Sequence, residues 1–401
     1  MRLSPSLPPV RAHGEAPIHV SIGIIAWNEE DAIRATLESL FAQSLFAELH
    51  ARGLRCEIVC VANGCTDATP AIVARIFGEQ AQRHPHRDAL SLRPFDIQER
   101  GKTHAWNLFV HIISSREAPF LVLMDGDIVL HGAETLWNMV AALADDPAAH
   151  VSTDTPRKDI SFKPKKSILE RISLATSTMS QAAEAQLTGQ LYCIRAEVAR
   201  NIYLPADLAA CEDGFIKAMV CTDFLTRGFT PGRIVRAGNA SHIFEAYTSV
   251  GDVFKNQKRQ MIGQTVLHVL DEYLRSRPLS ERQALGATLK DLERRDPLWL
   301  KRRIGDHIRA TSRFWRLFPG ILGFRFERLT RLTGVKKVVY APPALVGFSV
   351  TMVSCAMAYR FLKQGYTNYW PDTKSRHLKD VSAGEGGEGA ILRSSAASTK
   401  S

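Results

Sequence analysis

Two aspartates, Asp125 and Asp127, directly follow the uncharged apolar run 120–124. On an extended segment, side chains two residues apart point the same way, and Gly126 between them permits a tight backbone. Two neighbouring carboxylates form a hard-oxygen site of the kind that binds Mg²⁺ or Mn²⁺. By itself an Asp-x-Asp triplet is more often part of a turn, so this interpretation depends on the surrounding residues.

A second acidic pair, Glu212 and Asp213, could provide a general base. A carboxylate that accepts the proton of a hydroxyl group turns that group into a nucleophile. The alternative is an acidic pair at the start of a helix, where the helix dipole favours negative charge. His242 could bind a metal ion through a ring nitrogen, and packing in the core is the alternative for this residue.

Amide and carboxylate side chains end two earlier apolar runs, at Asn28, Glu29 and Glu30 and again at Asn63 and Asp67. Such groups form hydrogen bonds with bases and ribose hydroxyls. The alternatives are a helix start, where acids are favoured, and an Asn-Gly turn followed by a helix cap. Both interpretations can hold for the same residues.

Lys102 and Asn107 lie on a predicted helix that begins after Gly101. The helix dipole disfavours a lysine at this end, and a phosphate group nearby would explain its position. An exposed lysine without a ligand is the alternative.

Alternating strands and helices position these groups. Apolar runs predict strands over 18–27, 57–62, 90–94 and 120–124, and helical spacing predicts helices over 29–46, 67–77, 102–115 and 134–144. This alternation indicates a parallel sheet, which binds ligands beyond the carboxyl ends of its strands. Three of the polar clusters fall at that edge. From 151 to about 270 the pattern loosens, and we assign this part to the acceptor-facing half of the same domain.

The net charge of +10 is concentrated in residues 294–337, which hold 13 basic and three acidic side chains together with several aromatic ones. A basic and aromatic segment suits an anionic membrane surface or a nucleic acid, and a solvated helical face is the alternative. No nucleic-acid-binding module is recognisable, so we expect no nucleic-acid partner.

The following segment, 338–359, contains no charged residue. Its 22 residues would suffice to span a membrane, but Pro342 and Pro343 leave only 16 after them. An interfacial or re-entrant helix and a buried soluble helix are the alternatives. The start of the chain has no apolar leader and the seven cysteines have no ligand spacing, so we expect the cytoplasmic face of the inner membrane.

Taken in order, these segments resemble the family 2 glycosyltransferases, which have the nucleotide-sugar-binding GT-A fold. Residues 20–30 resemble the family's first strand and its Asn-Glu-Glu, and 61–67 resemble its Asp-(Asp/Asn)-Gly-Ser-Thr-Asp. Residues 101–107 resemble Gly-Lys-x-x-Ala-x-Asn, and 125–127 match the metal motif. Residues 189–197 resemble its Gly…Arg-(Arg)-Glu, and 212–213 match the Glu-Asp that carries the base. The resemblance extends over about 18–262.

The resemblance implies an inverting transfer of a sugar from a nucleotide-sugar, in particular a UDP-sugar, to a hydroxyl group. Asp213, beside Glu212, would accept the proton of the acceptor, and the donor would lie against the clusters described above. Mg²⁺ or Mn²⁺ would bind Asp125 and Asp127, with His242 as a further ligand. The implied acceptor residues are Gly189, Arg195, Gln257 and Arg259.

Two departures from the family's pattern bear on function. Ala62 replaces a frequent Asp, so base and ribose contacts rest more on Asn63 and on the acids of the first strand. The Gln-x-x-Arg-Trp of processive synthases is replaced by 257–261, without its Arg and Trp in place. We therefore predict the addition of single sugars, with a glycan or lipid-linked acceptor at a membrane surface.

The predicted architecture is an α/β fold with a mostly parallel sheet flanked by helices and a membrane-associating helical C-terminal region. The GT-A domain is placed at 17–275, between a loose 1–16 and a basic helical region at 276–337. A membrane-associated or transmembrane helix at 338–362 and a largely disordered tail at 363–401 follow. The alternatives are a nucleotidyltransferase, although no Gly-rich loop follows Trp27, and a non-catalytic membrane scaffold.

Overall fold

The computed structural model describes residues 16–167, 170–171, 174, 185–208, 210–247, 249–311, 317–318 and 334–367. The predicted loose N-terminus, most of the tail and much of the basic segment lie outside them. The strands are β1 Ile18–Ala26, β2 Arg55–Asn63, β3 Leu90–Ile97, β4 Phe120–Asp125, β5 Val129–His131, β6 Val151–Lys158, β7 Leu191–Arg195 and β8 Ile234–Phe244. The helices are α1 Ile33–Phe41, α2 Leu45–Ala51, α3 Thr69–Arg83, α4 Lys102–Leu108, α5 Thr135–Asp145, α6 Ala196–Arg200, α7 Glu212–Cys221, α8 Val250–Arg275, α9 Leu279–Gln283, α10 Leu285–Arg295, α11 Trp299–Ala310 and α12 Val335–Lys363.

The described strands form one mixed sheet in the order β3-β2-β1-β4-β7-β6-β8-β5. In the first half of the sheet, the strands β3, β2, β1 and β4 are all parallel to one another. In the second half, β6 is parallel to β8. Strand β7 is antiparallel to both β4 and β6, and β5 is antiparallel to β8. The α/β class is confirmed, while the second half of the sheet is more mixed than the sequence predicted.

The central strands are buried on both faces, so their side chains contribute alternately to two cores. On β4, Val122 and Met124 pack with α1, α2, α3 and α5, whereas Leu121 and Leu123 pack with α4, α7 and α8. Gly23 on β1 allows a close approach, because a methyl group there would lie 2.6 Å from the ring of Phe109. This packing fixes the carboxyl ends of β1, β2 and β4 side by side.

Strands β6 and β8 carry polar residues at buried positions, which is why apolar patterning does not reveal them. Residues Val151 to Asp154 of β6 are buried, and three of these four are polar. His242 of β8 is also fully buried, and it pairs with Asp154. At these buried positions the strands have polar residues where a strand prediction expects apolar ones.

Helix α12 begins at Val335 and continues through Pro342 and Pro343, where we expected the apolar helix to be interrupted. Proline removes hydrogen bonds and kinks a helix, but neighbouring turns can still continue it. Cys355, Ala358 and Leu362 pack in the same core as α7 and α8. Among the helices that the structure describes, none combines the length and the apolar character needed to cross a membrane.

Candidate active site

The predicted donor edge forms where β1 and β4 end next to the segment before β7. The backbone N–H of Asp125 donates to Gln190 O over 2.9 Å, and the N–H of Gly126 donates to Ile25 O over 3.0 Å. A methyl group on Gly126 would lie 2.8 Å from Ala26 Cβ, so only glycine permits this approach of the two strand ends. The Asp-Gly-Asp segment is thus held by backbone contacts on both sides.

Lys102, at the start of α4, contacts both the predicted donor side of the site and the predicted catalytic pair, Glu212 and Asp213. Its Nζ lies 2.8 Å from Asp125 Oδ1 and 3.0 Å from Glu212 Oε1. It also donates to Gly189 O over 3.4 Å. The structure therefore brings together four residues that the sequence predicted for donor, metal, catalytic and acceptor roles.

The electrostatics of this group follow from its burial. Burial raises the pKa of Asp125 to about 6; the Lys102 ammonium opposes this rise and the Asp127 carboxylate adds to it. Burial disfavours the Lys102 ammonium, but Asp125 and Glu212 raise the pKa of Lys102 above its ordinary value. Lys102 is thus a permanent cation within an acidic site at neutral pH.

Asp213 lies directly beside this group at the N-terminus of α7. Burial and the neighbouring Glu212 raise the pKa of Asp213, whereas the N–H of Gly214 and the guanidinium of Arg259 lower it. A carboxylate whose pKa is raised is a better proton acceptor than an ordinary aspartate, which suits a general base. Gly189 adjoins the pair, because a methyl group there would lie 3.1 Å from Glu212 Oε1 and 3.5 Å from Asp213 Cβ.

Helix α8 packs against residues 210–211, which precede the predicted catalytic pair, and it carries the predicted acceptor residues Gln257 and Arg259. A methyl group on Gly263 would lie 2.6 Å from Cys211 Cβ and 2.8 Å from Ala210 O, so helix and loop are in close contact. Arg259 is near enough to lower the pKa of Asp213. Within the described chain, Gln257 Oε1 is buried without a hydrogen-bond partner.

A network of hydrogen bonds joins the loop after β1 to the loop after β2. Asn28 has φ 55° and its Oδ1 accepts from the N–H of Thr66 over 2.8 Å. The N–H of Glu30 donates to Asp67 Oδ2 over 3.1 Å, and Glu30 Oε2 accepts from Ala68 N–H over 3.1 Å. Glu29 donates from its N–H to Thr69 Oγ1 over 2.8 Å. These side chains shape the donor-side loops, and their predicted contact with a nucleotide stays a prediction.

Two predicted donor residues hold backbone segments in place. The Nδ2 of buried Asn63 donates to Ala26 O over 2.7 Å, and its Oδ1 accepts from Gly101 N–H over 3.1 Å. Asn107 makes the equivalent pair of hydrogen bonds with Leu204, over 2.8 and 3.0 Å. Both amides are thus engaged with main chain in this structure.

Sequence reasoning missed a stacked pair at the mouth of the donor-side loops. The guanidinium of Arg100 lies 3.4 Å from the ring centroid of Trp27, a close cation–π contact. Gly64, with φ 63°, is required beside it, because a methyl group there would lie 2.8 Å from Arg100 Cβ. The one sequence signal for this stacked pair is Trp27, which directly follows the first strand.

The metal-binding prediction can be judged from the oxygen atoms available. Asp125 and Asp127 are close enough for the second carboxylate to raise the pKa of the first, and carboxylate oxygens suit Mg²⁺ or Mn²⁺. Across the part of the chain that the structure describes, no three His, Cys, Asp or Glu side chains cluster closely enough to surround a metal ion. Mg²⁺ commonly uses one or two protein carboxylates and completes its shell with phosphate oxygens, so this pair fits such an ion.

His242 lies behind the site, fully buried in β8. Its Nδ1 is 2.7 Å from Asp154 Oδ2, and its Nε2 is 3.4 Å from Gln190 Oε1. Gln190 is the residue whose carbonyl accepts from Asp125. His242 is therefore one residue removed from the aspartate pair, and its role as a metal ligand stays a prediction.

Arg195 is the one predicted acceptor residue that the fold carries away from this edge. Because β7 is antiparallel to β4, Arg195 pairs with Phe120 at the opposite end of that strand, roughly 17 Å from Asp125 at about 3.3 Å per residue. Its guanidinium donates to the carbonyls of Ala149, Leu143 and Asp146. There it caps the end of α5.

Comparison with known proteins gives one family and several distant structures. The model of "Glycosyl transferase family 2" matches residues 21–194. S. aureus TarS is 16% identical with a TM-score of 0.42, over 87% of this chain and 55% of that one, so this chain spans about half of its length. TarS 1–349 in complex with UDP has the same identity and TM-score over 88% and 93%. Glucosyl-3-phosphoglycerate synthase from Mycobacterium tuberculosis, in complex with Mg²⁺ and UDP, is 13% identical over 62% and 79%, with a TM-score of 0.41. No curated protein matches in sequence.

The matched range contains most of the first strand, both donor-side loops, the Gly-Lys helix start, the Asp-Gly-Asp segment and Gly189. These are most of the segments on which the sequence resemblance depended, whereas Glu212 and Asp213 lie outside the matched range. Residues 21–194 therefore match the family 2 glycosyltransferases, which supports a transferase with a GT-A-like α/β fold.

Proposed function

We propose that this enzyme transfers single sugars from a UDP-sugar to a hydroxyl group of a glycan or lipid-linked acceptor, with inversion at the anomeric carbon. The observation that carries the proposal is the direct contact of one ammonium, Lys102, with a donor-side carboxylate and a catalytic-pair carboxylate. Because one side chain contacts both carboxylates, a donor bound at Asp125 and an acceptor bound beside Glu212 would lie close together. A single displacement requires such closeness of the two substrates.

In the proposed reaction Asp213 accepts the proton of the acceptor hydroxyl as its oxygen attacks the anomeric carbon. The bond to the nucleoside diphosphate breaks in the same step, and no covalent enzyme intermediate is needed. A metal ion on Asp125 and Asp127 would neutralise the negative charge that develops on the diphosphate. Lys102 supplies a further fixed positive charge, which requires no reorganisation during the reaction.

A thermal-shift screen with Mn²⁺ tests the donor half of the proposal, with UDP as the first ligand because two of the similar structures hold it. A true donor stabilises the protein only when the metal is present. The products then distinguish the alternatives: a glycosyltransferase releases UDP, whereas a nucleotidyltransferase supplied with UTP and a sugar phosphate releases pyrophosphate. Failure of every UDP-sugar to shift the transition would contradict the proposed donor class.

We further propose that helix α12 lies on the anionic cytoplasmic face of the inner membrane and so presents the site to its acceptor. Leu345, Val353 and Met357 form a stripe on one side of α12, with exposed fractions of 58%, 49% and 40%. Exposed Arg360 and Lys363 follow the stripe, and residues 294–337 add a surplus of ten basic side chains. Apolar contact combined with basic flanks is the pattern of an interfacial helix.

Vesicle co-sedimentation tests this membrane contact. We expect the protein to sediment with phosphatidylglycerol vesicles at low salt and far less with neutral phosphatidylcholine vesicles. The double variant Val353→Asp, Met357→Asp should lose the binding, whereas Ile112→Asp, at another exposed apolar position, should retain it. Equal sedimentation of the double variant and the wild type would contradict the proposal.

A further inference from the structure

We propose that Lys102 is an internal cation that competes with the divalent metal ion for Asp125, so that the metal binds tightly only together with the donor's diphosphate. The inference rests on the proposed function, and it adds an order of binding of the metal ion and the donor. It concerns the protein before the donor arrives, when the Lys102 ammonium is in direct contact with Asp125.

The contact between Lys102 and Asp125 has the geometry of a strong ion pair. The two side chains are only 15% and 18% exposed, and the Nζ–Oδ1 distance is 2.8 Å. Partly buried pairs are weakly screened by salt, so the ammonium remains on this carboxylate at ordinary ionic strength. A metal ion that approaches Asp125 must therefore displace the ammonium or accept its repulsion.

The position of Lys102 in the helix supports a role beyond local structure. A cation at the first residue of a helix is disfavoured by the helix dipole, and burial disfavours it further. Two carboxylates, Asp125 and Glu212, compensate for both effects. The ammonium is thus held in the site by the acidic groups.

The remaining ligands are too few for a tight metal site in the protein alone. Asp127 is the second carboxylate of the motif, and the described residues supply no cluster of three metal-binding side chains there. A diphosphate would supply oxygen ligands and negative charge, and both effects favour the metal over the ammonium. Glu212, 3.0 Å from Nζ, remains as a partner for Lys102 when Asp125 takes the metal.

Mn²⁺ titration followed by electron paramagnetic resonance tests this competition without any assay of activity. We expect wild-type protein to bind Mn²⁺ at least about tenfold more tightly in the presence of UDP than in its absence. Without UDP, Lys102→Met should bind Mn²⁺ at least about tenfold more tightly than wild type, because a unit charge a few ångströms away is removed. Lys102→Arg retains the charge and should remain within about threefold of wild type.

The outcomes separate this inference from the proposed function. If Lys102→Met binds Mn²⁺ no more tightly than wild type, or if Lys102→Arg binds as tightly as Lys102→Met, the competition is refuted while the donor site stands. Equal Mn²⁺ affinity of the wild type with and without UDP refutes it as well, even if Lys102→Met does not fold. Absence of Mn²⁺ binding under every condition overturns both the inference and the metal-dependent donor site.

Discussion

Gly189→Ala is a one-methyl substitution that reaches the predicted catalytic pair, Glu212 and Asp213. The new methyl group would lie 3.1 Å from Glu212 Oε1, 3.5 Å from Asp213 Cβ and 3.7 Å from Lys102 Nζ. A contact of 3.1 Å is tighter than ordinary packing, so the Glu212 carboxylate must move by a few tenths of an ångström. That movement disturbs the 3.0 Å contact between Glu212 and Lys102.

The effect should appear in catalysis and only weakly in stability. A misplacement of about 1 Å costs on the order of 100-fold in rate, so a shift of a few tenths should lower kcat about tenfold. Gly189 is not among the described glycines with a left-handed φ, so alanine fits its backbone. We expect the free energy of unfolding to change by less than about 1 kcal/mol.

Steady-state rates at saturating donor and thermal unfolding measure both effects. Gly238→Ala is the matched control, because a methyl group on Gly238 meets nothing within 4 Å. It should retain the wild-type kcat. A wild-type kcat in Gly189→Ala, or an equal loss in both variants, would refute the idea that packing at Gly189 positions the predicted catalytic pair.

Three other predictions follow from contacts and charges. Gly126→Ala should destabilise the protein by about 1–3 kcal/mol in denaturant unfolding, because the methyl group would lie 2.8 Å from Ala26 Cβ. Gly78→Ala, at an exposed position inside α3 with nothing within 4 Å, should instead stabilise it by about 1 kcal/mol. In a pH–rate profile, kcat/KM should fall as the pH drops through a midpoint near 6, because burial raises the pKa of Asp125 to about 6 and also raises the pKa of Asp213 in the free enzyme. A midpoint near 4 would contradict this.

The donor edge of the fold could be predicted because the sequence there follows simple rules. Continuous apolar runs predicted the strands β1, β2 and β4. The polar residues directly after these strands lie close together because the carboxyl ends of parallel strands share one edge of the sheet. The second half of the sheet could not be predicted, because the buried residues of β6 are mostly polar and its buried Asp154 pairs with His242 of β8. Periodicity detects apolar burial and is blind to a polar pair whose partners are distant in sequence.

The roles of individual polar residues were harder to predict than their positions. Asn63 and Asn107 lie at predicted positions, yet their amides hold backbone segments through paired hydrogen bonds. Lys102 was expected to meet a phosphate, and in this structure its ammonium lies between two carboxylates. Arg195 faces the far end of the sheet because the direction of β7 is set by tertiary pairing, which no local pattern encodes.

The central claim is that Asp213 is the base of a sugar transfer, and turnover of a UDP-sugar in Asp213→Asn tests it most directly. Asn keeps the shape of the side chain but cannot accept the proton, so UDP release should fall by 100-fold or more, a typical contribution of roughly 10² to 10⁴ for general base catalysis. Mn²⁺-dependent binding of UDP should remain. Asp207→Asn, in the same loop region but outside the catalytic pair, is the control and should keep its activity. Turnover in Asp213→Asn at the wild-type rate would contradict the account.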